Sequence, residues 1–252
     1  MAKGLRYLAA KKKRKSFLEV AGISEKDCFI ASFPKSGNTW LRYLLAFANF
    51  PDQEISQATL SNFLPSVYDQ PFRLSHLTSP RFIKTHEAFF ELYPKTIYIV
   101  RDYRDVVVSS FHYLKKKNLL NETICDFIRG EKLNAFGPWS WHVASALEWK
   151  EKHPEKLLLL KYESLLDSPE KELQTILSFC NISSKKPVAE IIQLASFANL
   201  RKKEEKETKA GEAYFFRKGI SGDWKNSLSE KDVEYLMKDK KTNEVMKKLG
   251  YL

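Results

Sequence analysis

The residues best suited to hold an anion lie in one short loop, PKSGNT at residues 34–39. An apolar stretch that is typical of a buried strand precedes the loop, and a helix is predicted to begin near Thr39. Backbone N–H groups converge at such a turn, and the helix N-terminus adds positive potential. We therefore expect an anion to bind there, with Lys35 supplying a point charge. The alternative is an ordinary turn followed by an N-capped helix.

The order of residues in this loop differs from a Walker A motif, in which the lysine follows the second glycine. Here Lys35 comes two positions before Gly37, and no Lys-Ser or Lys-Thr pair opens the helix. The hydroxyl that would hold Mg²⁺ against a triphosphate is therefore missing. This order argues against an ordinary ATPase or GTPase.

A lysine and a histidine stand at the end of the next predicted strand, residues 81–86. Polar residues at the carboxyl ends of parallel strands point into the crevice where ligands bind. His86 is the best candidate for a general base among the five histidines, because the ordinary histidine pKa is close to working pH. A histidine on the surface with no catalytic role is the alternative.

Two further segments carry groups that bind phosphate. Arg101 ends a predicted strand, and Ser109 follows it within the next helix, so that both side chains can reach one phosphate. Arg101 can instead form a structural ion pair with Asp102 or Asp105. Residues 215–226 combine two phenylalanines, a basic pair and two glycines, which predicts a flexible clamp over an anion.

Four predicted strands position these groups, at residues 28–33, 81–86, 96–101 and 156–162, with helical patterns between them. The chain of 252 residues fits one α/β domain. Residues 1–24 form a basic N-terminal segment, and residues 201–212 are expected to be a mobile charged loop. The basic run at 11–15 favours a solvated helix face over a localisation signal or a membrane-surface patch.

The formal net charge of +11 favours an anionic partner, which leaves nucleotides, nucleic acids, acidic lipids and sulfated or phosphorylated small molecules open. The three cysteines are scattered, so neither a disulfide framework nor a zinc site is indicated and a reducing compartment is expected. No apolar run is long enough for a signal peptide or a transmembrane helix. We therefore expect a cytoplasmic protein.

Five segments, taken together, resemble the cytosolic-type sulfotransferases that use 3′-phosphoadenosine 5′-phosphosulfate (PAPS). They are FPKSGNTW at 33–40, IKTH at 83–86, VRDYRDVVVSS at 100–110, KYESLLDSPEKEL at 161–173 and FRKGISGDWKN at 216–226. The segments occur in the family's order, and RKG-x-x-GDW downstream of PKSG-x-TW is highly specific. The resemblance implies a single three-layer α/β domain with a central parallel β-sheet, similar to the P-loop kinases.

The resemblance also implies a role for each matched residue. The residues that surround the 5′-phosphosulfate would be Lys35, Ser36, Gly37, Asn38 and Thr39, and the 3′-phosphate site would comprise Arg101, Ser109, Arg217, Lys218 and Gly219. Trp40 would lie near the adenine, and Tyr162 and Phe197 would contact the nucleoside. His86 matches the catalytic base, Lys84 a supporting cation and Lys35 the cation that stabilises the leaving group; no metal is required.

Two departures from the family's pattern concern binding and assembly. Asn38 stands where many members have threonine, which is a tolerable exchange in a hydrogen-bonding loop. The pattern that many animal members use for dimerisation is degraded, because Ser229-Glu230 replaces Thr-Val, and this leaves the oligomeric state open. The acceptor is expected to be a small molecule or a lipid. The alternative functions are a P-loop-like nucleotide kinase, or a basic nucleic-acid-binding module.

Overall fold

A computed structural model describes residues 2–130, 136–207, 216 and 218–252. Four parallel strands form its central sheet: β1 (Cys28–Ala31), β2 (Phe82–Thr85), β3 (Lys95–Val100) and β4 (Leu157–Lys161). Their order across the sheet is β2-β1-β3-β4, so β1 and β3 are the inner strands. The carboxyl ends of all four strands therefore meet at one edge, where the predicted site residues follow them.

Helices connect the strands and cover the sheet. In chain order they are α1 (Ala2–Val20), α2 (Asn38–Asn49), α3 (Leu60–Phe63), α4 (Pro71–Ser75), α5 (Tyr103–Lys116), α6 (Ile124–Arg129), α7 (Trp139–Lys152), α8 (Tyr162–Asp167), α9 (Pro169–Cys180), α10 (Val188–Leu194), α11 (Phe197–Glu207), α12 (Glu230–Met237) and α13 (Lys240–Lys248). Short 3₁₀ turns occur at Phe90–Leu92 and Asp223–Asn226.

Alternate residues of each strand face opposite sides of the sheet, and both sides are buried. Ile30 of β1 packs in a cluster with apolar side chains of α2, α9 and α10. Phe29 and Ala31 pack in a second cluster, with side chains of α1, α7 and α13. The chain therefore forms three layers, with helices on both faces of a parallel sheet, which confirms the predicted fold class.

The predicted strands overlap those observed, but each observed strand ends earlier than predicted. Ser32 and Phe33 lie beyond β1, and His86 lies beyond β2. Arg101 likewise follows β3, and Tyr162 begins helix α8. The functional side chains consequently sit in the turns that leave the sheet, where no ladder hydrogen bonds fix their direction.

The prediction of a mobile loop at residues 201–212 is wrong for its first part, because residues 201–207 continue helix α11. The remainder, 208–212, lies outside the described residues. Charged composition suggested mobility, yet Glu204 is buried and its carboxylate accepts a hydrogen bond from the backbone N–H of Phe216. A contact with a segment twelve residues away thus stabilises this part of the helix.

The basic run of residues 11–15 lies on helix α1. Lys12, Lys13 and Lys15 are exposed, as expected for a solvated face. Lys11 and Arg14 instead form ion pairs with Glu91 and Glu87, so part of the run holds α1 against the body of the domain. Among the described helices, none has the length and apolar character needed to cross a bilayer.

Candidate active site

A cavity of about 360 Å³ opens at the carboxyl edge of the sheet. The predicted site residues that line it are Lys35, Gly37, Asn38, Thr39, Trp40, Lys84, His86, Arg101, Ser109, Tyr162, Phe197, Lys218 and Gly219. Ser36 lies within the same loop but is fully buried behind this surface, and Arg217 lies outside the described residues. Residues from six separate segments of sequence therefore meet at a single cavity.

The loop at residues 34–39, the predicted anion loop, turns sharply into α2. Lys35 has a left-handed φ of 68°, and Gly37 has a φ of 103° at the N-cap of α2. A Cβ atom on Gly37 would lie 2.6 Å from Cδ2 of Tyr162, so that only glycine fits between the loop and this ring. The strained turn directs backbone N–H groups and the helix N-terminus at the cavity.

Two buried donors near the loop, Ser36 Oγ and Arg101 Nε, have no hydrogen-bond partner among the described residues, and neither does one acceptor, Asn38 Oδ1. Leaving such groups unpaired costs about 1–3 kcal/mol each. A ligand with anionic oxygens would satisfy donors of this kind. The two donors therefore fit a site that binds phosphate or sulfate groups.

The ammonium group of Lys35 lies 4.1 Å from the centre of the Tyr113 ring. This cation–π contact holds the lysine side chain at the cavity. Tyr113 was not among the predicted site residues. Its position one helical turn after Ser109 on α5 places both on the same face, and this spacing was the signal that could have found it.

Arg101 connects the loop to the late segment of the chain. Its guanidinium donates to the carbonyl of Ile220 at 3.0 Å and to that of Lys35 at 3.5 Å, and it stacks over the Tyr162 ring at 4.3 Å. An ion pair with Asp105 at 3.7 Å completes its contacts. The ion pair with Asp105 is therefore present and Arg101 also lines the cavity, whereas phosphate binding by Arg101 and Ser109 stays a prediction.

Asp105 also anchors the late segment. Its carboxylate accepts hydrogen bonds from the backbone N–H groups of Gly222 at 2.8 Å and Trp224 at 3.0 Å. Lys218, whose side chain is 48% exposed, pairs with the buried carboxylate of Asp223 at 2.7 Å. The described residues of the predicted clamp, 216 and 218–226, are thus held by Asp105 of α5 and by the ion pair within the segment.

An aromatic group forms the wall of the cavity on the side of α2. The indole N–H of Trp40 donates to the carbonyl of Ala195, and its ring lies 5.2 Å from that of Phe197 and 5.7 Å from that of Tyr162. Gly219 packs against Phe197 so closely that a Cβ atom would lie 2.3 Å from the ring. This wall offers flat apolar surfaces to a planar ligand.

Asn38 has a structural contact in addition to its place at the cavity. Its side-chain amide donates to the carbonyl of Ile30 at 3.0 Å and to Ser32 Oγ at 3.2 Å. The side chain thereby fixes the start of α2 to the end of β1. Its backbone N–H is at the first position of the helix, where it has no partner within the helix.

His86 has a defined tautomer. Its Nδ1 lies 2.8 Å from the backbone carbonyl of Ser32, and a carbonyl oxygen can only accept, so Nδ1 carries the proton. The lone pair is therefore on Nε2. The backbone N–H of His86 donates to the hydroxyl of Tyr68 at 2.8 Å, and the ring lies 5.5 Å from that of Phe136. A proton acceptor thus stands beside aromatic surfaces.

The protonation of His86 is controlled by its surroundings. Burial, followed by the nearby charge of Lys84, lowers the pKa of His86 to about 3. Burial and the charge of Arg42 lower the pKa of Lys84 as well. The imidazole is therefore neutral at physiological pH, which is the form a general base requires.

The sequence interpretation missed several residues that line the cavity, namely Pro34, Tyr113, Phe136, Phe216 and Ile220. Pro34, Phe216 and Ile220 lie within motifs already identified, so adjacency was their signal. Phe136 had no comparable signal, because it reaches the cavity from the segment before α7.

Curated relatives of the chain are sulfotransferases. It is 30% identical to mouse sulfotransferase 1 family member D1 over 245 residues, which cover 84% of this chain and 81% of the relative. It is 31% identical to cytosolic sulfotransferase 12 of Arabidopsis thaliana, with 83% of this chain and 74% of the relative covered. These similarities extend over nearly the whole domain.

Solved structures give the same result. The structure of mouse sulfotransferase SULT7A1 complexed with PAP superimposes with a TM-score of 0.70 at 28% identity, covering 89% of this chain and 86% of the other. A retinol dehydratase complexed with retinol and PAP has a TM-score of 0.72 at 22% identity, covering 92% and 86%, and supports the fold. Residues 25–250 match the family model described as the sulfotransferase domain, and the chain belongs to this family.

Proposed function

We propose that this sulfotransferase moves the sulfuryl group of PAPS to a hydroxyl group, or an amine, of a small-molecule or lipid acceptor. The observation that carries the proposal is the position of His86, whose Nε2 lone pair belongs to the same cavity as Lys35 and the anion-binding loop. A base and a leaving-group cation at one cavity are what in-line transfer requires.

The cavity's donor groups fit PAPS, which supplies an activated sulfuryl group when bound. We assign the 5′ end to the loop of Lys35, Ser36, Gly37, Asn38 and Thr39, where Ser36 Oγ is buried without a partner among the described residues. We assign the 3′-phosphate to Arg101, Ser109, Arg217, Lys218 and Gly219. The aromatic wall of Trp40, Tyr162 and Phe197 is assigned to the nucleoside. PAP in the similar mouse sulfotransferase supports this choice of nucleotide.

His86 Nε2 accepts the proton of the acceptor group as the acceptor's oxygen or nitrogen bonds to sulfur. The imidazolium that forms keeps its Nδ1–H directed at the Ser32 carbonyl, which stabilises the developing positive charge. Lys84 opposes protonation of His86 in the free protein, so the proton is held only when negative charge is present at the sulfuryl site.

Lys35 acts on the other side of sulfur. As the bond from sulfur to the bridging phosphate oxygen breaks, the electron pair stays on that oxygen, and the Lys35 ammonium stabilises it. Lys84 lines the same cavity, and its ammonium group stabilises negative charge on the oxygens of the sulfuryl group during transfer. Removing a general base or such a cation costs on the order of a hundredfold in rate.

Incubation with ³⁵S-labelled PAPS and a panel of phenols, alcohols, amines and glycolipids, followed by mass spectrometry of the product, tests the proposal. We expect label transfer by the wild-type protein, and a loss of on the order of a hundredfold in His86→Gln with 3′,5′-ADP binding retained. Full activity of His86→Gln would remove His86 as the base. Absence of thermal stabilisation by millimolar 3′,5′-ADP would contradict the donor site.

The names of the relatives bear on location. Cytosolic sulfotransferases of Arabidopsis thaliana and zebrafish (Danio rerio) are among them, and we propose the cytoplasm for this chain. Fractionation of cells that express the tagged full chain tests this, and recovery with membranes or in a secreted fraction would contradict it.

A further inference from the structure

His86 lies just beyond strand β2, which is an outermost strand of the sheet and pairs with β1 on one side. The parallel ladder with β1 ends at Thr85, and the outer bridge of β2 pairs Lys84 with Ser66. The backbone N–H and C=O of His86 therefore need partners other than a neighbouring strand. Two side chains supply them: the hydroxyl of Tyr68 accepts from the N–H, and Nε2 of His142 lies 3.0 Å from the C=O.

His142 belongs to helix α7 and is 4% exposed. Its Nδ1 lies 2.7 Å from the hydroxyl oxygen of Tyr98, a residue of the inner strand β3. The ring also packs edge-on against Phe33, with 5.6 Å between the ring centres. Both ring nitrogens are therefore engaged, and the ring is held between the sheet and the turn that carries His86.

Donor and acceptor roles along this chain of contacts follow from its ends. The His86 carbonyl can only accept, so His142 Nε2 carries a proton. Burial lowers the pKa of His142 to about 4, which keeps the ring neutral, so Nδ1 must accept from the Tyr98 hydroxyl. Burial raises the pKa of Tyr98, and the hydroxyl keeps its proton. The hydrogen bonds are thus donated in one direction, from the Tyr98 hydroxyl to His142 and from His142 to the carbonyl of His86.

We propose that His142 is a positioning residue for sulfuryl transfer: it holds the backbone of His86 so that the ring keeps its Nδ1–H on Ser32 and its Nε2 lone pair at the cavity. The inference rests on the proposed role of His86 as the base. His142 has no place in the cavity lining, so it acts through His86 and not on the donor or acceptor.

The expected cost follows from geometry. Without the His142 contact the carbonyl of His86 loses its buried donor, and the peptide after β2 is free to rotate. A displacement of about 1 Å in a catalytic group can lower the rate about a hundredfold. Binding of the donor should not change, because the anion loop and Arg101 are held by other contacts.

A matched pair of amides tests the inference in the full-length protein. His142→Gln places an N–H donor near the position of Nε2 and can still reach the His86 carbonyl, whereas His142→Asn ends near the position of Nδ1 and cannot. We expect kcat in His142→Asn to fall about tenfold or more, with KM for PAPS unchanged. His142→Gln should recover most of this loss.

A spectroscopic measurement separates positioning from general destabilisation. In protein labelled with ¹⁵N-histidine, the His86 ring nitrogens should report protonated Nδ1 in the wild type and a mixture of tautomers in His142→Asn, with recovery in His142→Gln. Tyr98→Phe removes the donor to His142 Nδ1 and should lower kcat less than His142→Asn does. If His142→Asn does not fold, the Gln and Tyr98→Phe variants still carry the comparison.

The outcomes distinguish the inference from the proposed function. Wild-type kcat and an unchanged His86 tautomer in a folded His142→Asn protein would overturn the positioning role while leaving His86 as the base. If His142→Asn does not fold, wild-type kcat and an unchanged His86 tautomer in Tyr98→Phe would overturn it instead. Full activity of His86→Gln would instead overturn the base assignment, whatever the His142 variants do. Equal losses in His142→Gln and His142→Asn would also contradict the inference, because only one of them loses the donor.

Discussion

The electrostatic relation between Lys84 and His86 can be tested directly by removing the charge. Burial is the larger cause and Lys84 the second cause of lowering the pKa of His86 from 6.5 to about 3. This difference corresponds to a preference for the neutral ring of about 5 kcal/mol. Because the pKa in the folded protein is lowered, the neutral form persists until the pH falls close to 3. We therefore expect no protonation of His86 between about pH 5 and pH 8.

Titration of the histidine C–H signals by NMR in the ligand-free protein measures this, with the His86 signal assigned by its loss in His86→Gln. The wild-type signal should not move over that range. In Lys84→Met the midpoint should rise by about one pH unit, since one charge is removed while burial remains. Lys225→Met removes the same charge from an exposed position of the late segment and is the matched control.

A wild-type midpoint near that of an ordinary histidine would refute the assignment of a buried, neutral base. An unchanged midpoint in Lys84→Met would show that burial alone lowers the pKa. A shift of the same size in Lys225→Met would indicate a response to net charge, not to the neighbouring lysine. The acid limb of kcat/KM should follow the same order among the variants, because protonated His86 cannot accept the acceptor's proton.

Three further predictions concern the loop, the clamp and the buried histidine of α7. Gly37→Ala should lower the unfolding free energy by about 2 kcal/mol, because its Cβ meets Tyr162 at positive φ; an unaffected denaturation midpoint would contradict this. Lys218→Ala should weaken 3′,5′-ADP binding about tenfold by calorimetry, with Lys225→Ala as the unchanged control; equal effects would contradict a specific contact. Burial keeps the pKa of His142 near 4 in the folded protein. The unfolding free energy therefore decreases as the pH falls below the pKa that this histidine has in the unfolded chain. Between about pH 7 and pH 5, the unfolding free energy of His142→Gln should decrease by about 2 kcal/mol less than that of the wild type. Equal decreases in the two proteins would contradict this prediction.

Strand ends explain why so much of the site could be predicted from the sequence. The anion loop follows β1, His86 follows β2, Arg101 follows β3 and Tyr162 follows β4. In a parallel sheet these four positions share one edge, so the hydrophobic pattern alone brings the polar residues together. Every described candidate lines the cavity except Ser36, which is buried behind the loop, but Phe197, Lys218 and Gly219 reach it from segments that follow no strand.

Contacts between distant segments were not predictable from local patterns. The ring of Phe136 lies 5.5 Å from that of His86, although the two residues are far apart in the sequence. His142 lies in an apolar helix whose pattern says only that one face is buried. Its pairing with Tyr98 and His86 depends on the packing of α7 against the sheet, which no short-range signal specifies.

Arg101 shows why a choice between a structural and a functional role can be wrongly posed. Asp105 forms the ion pair with Arg101 and also accepts hydrogen bonds from two backbone N–H groups of the late segment. One carboxylate therefore balances part of the arginine's charge and fixes the clamp beside it. The orphaned Nε of Arg101 still faces no protein acceptor among the described residues. The ion pair sets the direction of the guanidinium, and an unpaired donor is what the proposed anion site at Arg101 would require.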